Sequence, residues 1–235
     1  MWIEASHTID RRCSRGFTLL EILAAIFIFS IVMGLVFGTF GGVFSSADRV
    51  GAASDLHEMA SACLVRMATD LKAIHVAREP RYKAPDMDDP PDPYRVEGGT
   101  EYLGGELFSR LRFTSLAHLP IGRQPREGIA RIVYYPEMKT EGERILRRAD
   151  NLFPYDDFTP SPTDPVICEQ VLSFKVVYFD KEGRDTEEWN SESDLYEHST
   201  PRAVGIELTL GDEQMSYTFV TEVDLPMVRS ISRRR

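Results

Sequence analysis

An α+β fold, one long N-terminal helix followed by antiparallel strands, is predicted by three observations. From Ile22 to Ala47 no residue is charged, an apolar run long enough for a helix to cross hydrocarbon. Beyond it, apolar residues recur at three- and four-residue steps as far as Ile74, and Pro80 ends the pattern. From about Glu106 the pattern changes to short segments rich in β-formers with turn signals between them. Helix first and antiparallel strands after is the order of an α+β domain.

The first element is the membrane segment, 17–46. It is too long for the apolar core of a secretory signal, about 7–15 residues, and no later stretch is similarly apolar. Arg11, Arg12 and Arg15 outweigh Glu4 and Asp10 before it, which predicts a cytoplasmic N-terminus and a chain lying mostly across the membrane. Glu21 is the exception, an acid near the start of the apolar run. A carboxylate in hydrocarbon is costly and marks a function by default.

The second element is the amphipathic half of the same helix, 47–79. Val50, Ala53, Leu56, Ala60, Cys63, Leu64, Met67, Leu71 and Ile74 form its apolar stripe. Asp48, Arg49, Asp55, Glu58, Arg66, Asp70 and Lys72 are assigned to the polar face. Residues 80–105 are rich in Pro, Gly and Asp and read as a loop. Asp86, Asp88, Asp89 and Asp92 supply oxygens of the kind calcium binds, but without EF-hand spacing a solvated acidic loop is expected.

Strands are expected at 106–116, 128–137 and 143–149, then in the run ending at Asp180. Residues 151–165 form another Pro/Asp loop, and 181–201 a polar excursion around Trp189. Val204, Ile206, Leu208 and Leu210 alternate along one strand. "GDEQ" then turns the chain into a partner with Tyr217, Phe219, Thr221 and Val223 on one face. The globular domain thus covers 80–228, and 229–235, with Arg229, Arg233, Arg234 and Arg235, is expected as a solvated basic tail.

Composition limits the function. The chain has 235 residues with a net charge of −10, so overall electrostatics give a nucleic-acid role no support. Its three cysteines, Cys13, Cys63 and Cys168, form no CxxC or Cys/His cluster. Cys63 sits on the apolar stripe, the usual place of a buried free thiol, and pairing with Cys168 is the alternative in an oxidising compartment. A membrane-tethered periplasmic enzyme is the alternative from a different class. His57 begins "HEMAS", where Ser61 replaces the second histidine of a zinc motif, and no P-loop, GxSxG or GxGxxG is present. His7, His57, His75, His118 and His198 lack ligand spacing, so no cofactor, metal or enzymatic activity is expected.

The junction "RG" followed by "FTLLE" resembles the class III leader of type IV prepilins and type II secretion pseudopilins. That resemblance implies a type IV pilin-like fold. It also implies a leader, 1–16, removed by prepilin peptidase after Gly16, N-methylation of the new terminus Phe17, and an assembly role for Glu21 at the fifth mature position. Cleavage would leave a positive α-amino group one helical turn from Glu21, and each charge would offset part of the other's desolvation cost.

Later motifs are similar to J-type minor pseudopilins of the type II secretion system. They are Arg66, Asp70, Leu71 and Arg78 in the helix, Leu146, Arg147 and Arg148 in a strand pair, and the aromatic strand, Trp189 and "PRAV" run after Thr200. The family often has leucine where Thr200 stands. What this resemblance implies is a minor, tip-located pseudopilin that helps initiate pseudopilus assembly for export of folded proteins. The implied partners are I-type and K-type minor pseudopilins, the major pseudopilin, prepilin peptidase and the inner membrane. W-type minor pilins of type IV pili share the outline and are the alternative.

Overall fold

The computed structural model describes residues 16–230, except 87, 88, 121–125, 140, 141, 156 and 213 and the side chains of 40–48. The leader, Asp88 and the last three arginines lie outside the described residues. Helix α1 spans Leu19–Lys72, and the chain divides into two compact units after Ala53.

In the first unit, Leu19–Thr39 is long and apolar enough to cross a membrane, and none of it is buried within the chain. Hydroxyls on this stretch bond back to the helix. Ser30 Oγ donates to the Ile26 carbonyl and Thr39 Oγ1 to that of Leu35, each at 2.8 Å. Bonds of this kind satisfy a hydroxyl without water, as hydrocarbon requires.

The second unit packs the remainder of α1 against two antiparallel sheets. Leu56, Ala60, Cys63, Met67 and Leu71 are buried, so the predicted stripe is the helix's core face from Leu56 on, whereas Val50 at its start is exposed. The first sheet contains β1 (Glu97–Leu103), β2 (Glu106–Ser115), β3 (Ala130–Met138), β4 (Arg144–Leu152), β5 (Val166–Cys168) and β8 (Trp189–Asn190), in the order β5-β4-β3-β2-β1-β8. The second contains β6 (Val171–Phe179), β7 (Asp185–Thr186), β9 (Ala203–Gly211) and β10 (Ser216–Asp224), in the order β10-β9-β6-β7. The expected β9–β10 hairpin is present, with Leu210 opposite Tyr217 and Leu208 opposite Phe219.

Three expectations need correction. The helix ends at Lys72 rather than at residue 79, because the chain that follows is taken by the end of β2. His75 N–H donates to Thr114 O at 2.8 Å, Leu116 N–H donates to Ala73 O at 2.9 Å, and Ile74 bridges Ser115. Ile74 and Val76 are thereby buried, a gain that a further helical turn would not supply.

The 80–105 loop contains a strand, β1, joined to β2 by Gly104 and Gly105 at φ +62° and +87°. A two-residue hairpin with both central residues at positive φ suits glycine. The 181–201 excursion is also structured. Trp189 is buried in β8, donates Nε1–H to Ser199 O at 3.0 Å and stacks on Tyr196 at 4.3 Å.

Candidate functional site: the N-terminal junction and the helix spine

Gly16 and Phe17 are exposed and precede the helix, and Glu21 lies in its first turn. Thr18 and Glu21 form a reciprocal cap. Glu21 N–H donates to Thr18 Oγ1 at 3.2 Å, and Thr18 N–H donates to Glu21 Oε2 at 3.5 Å. This is the Ser/Thr-x-x-Glu capping box, which occupies amides that a helix start leaves unpaired. The carboxylate also sits at the positive end of the helix dipole. Among the described residues that one long bond is all it accepts, so most of its capacity is open to a counter-charge. Phe17, Leu19 and Leu20 around it are about four-fifths exposed among the described residues, an apolar surface.

The second cluster is in the domain. Asp70, placed on the polar face from sequence, is instead fully buried. Arg66, one turn earlier, pairs with it. Arg148 of β4 donates Nε–H to Asp70 Oδ2 at 2.6 Å and Nη2–H to Oδ1 at 3.3 Å, and Tyr134 of β3 donates its hydroxyl to Oδ2. Arg148 also reaches Asp150 at 2.6 Å, and Asp150 holds His118 Nδ1 at 2.6 Å. Both guanidinium groups extend to the Ala117 carbonyl. The buried Arg148 is thus matched by two acids, and the partly exposed Arg66 shares one of them, which is the condition for tolerating buried charge. Burial first, then the charge of Asp70, holds the Tyr134 hydroxyl protonated well above the usual tyrosine range. The acids are already occupied as acceptors, so the cluster clamps helix to sheet and offers no free base.

Arg229 is the other correction. It is not part of a solvated tail but is 1% exposed. Its guanidinium donates to Asp92 at 2.6 Å, Glu192 at 2.7 Å and the Ser191 and His198 carbonyls, and it lies 3.6 Å over the Tyr82 ring. Its backbone N–H donates to Thr200 Oγ1 at 2.8 Å, a bond that leucine at this position would not make. Asp92 is therefore a counter-ion, while Asp86 and Asp89 close a local turn. Sequence reasoning missed this cluster because its members are scattered along the chain. The usable signal was an arginine directly after an apolar "LPMV" run.

The histidines serve separate local roles. His57 packs edge-on to Tyr217 and Phe219 at about 5 Å, His75 to Tyr94, and His198 pairs with Asp194 at 2.8 Å. Burial lowers the affinity of His75 for a proton. Among the described residues no three His, Cys, Asp or Glu side chains converge as a metal site.

An apolar N-terminal helix with a capped acid in its first turn, continuing into an α+β domain clamped on that helix, defines a pilin-like membrane-anchored protein. The prokaryotic N-terminal methylation motif matches residues 11–37. The family model for type II secretion system protein J matches residues 38–221, most of the chain, and the chain belongs to that family. No curated protein matches the chain. The protein is accordingly a minor pseudopilin, a structural component of the type II secretion system that is anchored in a membrane and interacts with other pseudopilins.

Proposed function

We propose that the chain is a tip pseudopilin that helps initiate a periplasmic pseudopilus for export of folded proteins across the outer membrane. The match to the J family over 38–221 carries this reading, and the methylation motif at 11–37 supports its N-terminal part. Prepilin peptidase cuts between Gly16 and Phe17 and methylates Phe17. The α-amino group of one subunit then meets Glu21 of a neighbour, where the pairing sets axial register. The globular domain lies in the periplasm beside I-type and K-type minor pseudopilins, above the major pseudopilin. Its work is assembly, not catalysis.

Co-expression of the full chain with I-type and K-type partners and affinity capture of one subunit tests the assignment. A stoichiometric complex containing all three is expected, and Glu21→Ala is expected to be cleaved normally yet to lose secretion. Capture of neither partner, or assembly instead with type IV pilus minor pilins, would contradict it.

A further inference from the structure

Cys63 lies on the buried stripe of α1 and Cys168 ends β5, each 1% exposed. Both are free thiols, and both belong to the same buried core cluster. The chain next to Cys168 also runs against the helix, because Glu169 N–H donates to Met59 Sδ at 3.3 Å. Yet β5 is weakly held. It is three residues long, lies at the sheet edge, and pairs with β4 only through Leu146–Cys168 and Arg147–Val166, with a register shift between them. The remaining cysteine, Cys13, precedes Gly16, so a chain cut there keeps only Cys63 and Cys168.

We propose that Cys63 and Cys168 close into a structural disulfide during folding in an oxidising compartment, stapling helix α1 to edge strand β5. The inference rests on the export of the domain proposed above. The oxidant is a disulfide of the thiol–disulfide exchange class. One cysteine thiolate attacks it and releases one of its sulfurs as thiolate. The second cysteine thiolate attacks the resulting mixed disulfide, forms the Cys63–Cys168 bond and expels the other sulfur. Two protons and two electrons leave the chain, and the oxidant departs as a dithiol. Once the core has closed around reduced cysteines, the hydrogen bond with Cys168 and then burial hold the Cys63 thiol protonated far above its ordinary range. Exchange needs the thiolate and access, so it belongs to the period before the helix docks. The same burial afterwards shields the bond. It joins positions 105 apart (168 − 63), so force applied to the helix passes to the sheet covalently.

The test uses the full chain expressed with its export machinery, quenched in acid, denatured, and treated with a high-mass maleimide with and without prior reduction. The processed chain is expected to take no adduct before reduction and two after; a retained leader adds one to each lane through Cys13. Protease added to spheroplasts reports separately whether the domain is exported. An exported domain whose two thiols react without reductant overturns the proposal, as does a bond linking two chains. If the domain is not exported, the export reading fails, and refolding the solubilised full chain from urea in a glutathione redox couple decides the disulfide. An intrachain Cys63–Cys168 bond there sustains the proposal, and its absence overturns it. Reductant is further expected to lower the unfolding midpoint of the oxidised chain by about 5 °C or more while leaving Cys63→Ser/Cys168→Ser unmoved. Equal midpoints for oxidised and reduced wild type would count against the staple.

Discussion

Asp70 illustrates how one residue can be correctly singled out and wrongly placed. Its assignment to the polar face of the helix implied a solvated side chain. The partner that buries it, Arg148, is 78 positions away, and only tertiary structure brings the two together. Asp70→Asn leaves the buried Arg148 guanidinium with Asp150 as its single acid. A loss of about 3–5 kcal/mol in chemical unfolding is expected, with part recovered in Asp70→Leu/Arg148→Met. A loss under about 1 kcal/mol would mean the pair is solvated as an exposed pair is. Arg229 teaches the same lesson, since a charged residue near a chain end looks solvated until Asp92, Glu192 and Tyr82 surround it.

Among the elements, legibility followed periodicity. The stripe from Leu56 to Leu71 and the β9–β10 hairpin were readable because their spacing reports burial on one face. Strand β1 was hidden by its glycines, Gly98 and Gly99, which resemble loop residues. The structure gives Gly98 a different reason. A Cβ there would stand 1.6 Å from the Tyr178 hydroxyl, so the glycine admits a ring of β6 from the other sheet. Glycine within a strand often marks such a close approach. Gly98→Ala is therefore expected to cost about 1–3 kcal/mol by overpacking, read as a lower thermal midpoint. Tyr178→Leu in the same chain should restore part of it. An unchanged midpoint in Gly98→Ala would show that the sheets separate there without penalty.

For the molecule as a whole, the tyrosines set an alkaline limit. Burial is the leading cause in each case: Tyr82 and Tyr155 are pushed up to about 12, and Tyr134 and Tyr178 higher. The unfolded chain releases these protons near pH 10, whereas the folded chain retains them. The stability they contribute is full below about pH 10 and is lost as pH rises through the folded values. The share of tyrosinate absorbance that belongs to these buried tyrosines is expected to appear together with the loss of far-UV circular dichroism, above about pH 10. Complete titration near pH 10 with the dichroism intact would contradict the burial.

Membrane anchor and domain belong to one pseudopilin, and the proposed processing at the N-terminus would make it competent for assembly. The Thr18–Glu21 cap leaves the Glu21 carboxylate capacity for a charge that the intact chain has not yet generated. Cleavage after Gly16 would generate it. Mass spectrometry of the N-terminal peptide from membranes containing prepilin peptidase tests this directly. A peptide beginning at N-methylated Phe17 is expected, absent when the peptidase is deleted. A chain still beginning at Met1, or cut at another position with the peptidase present, would contradict it.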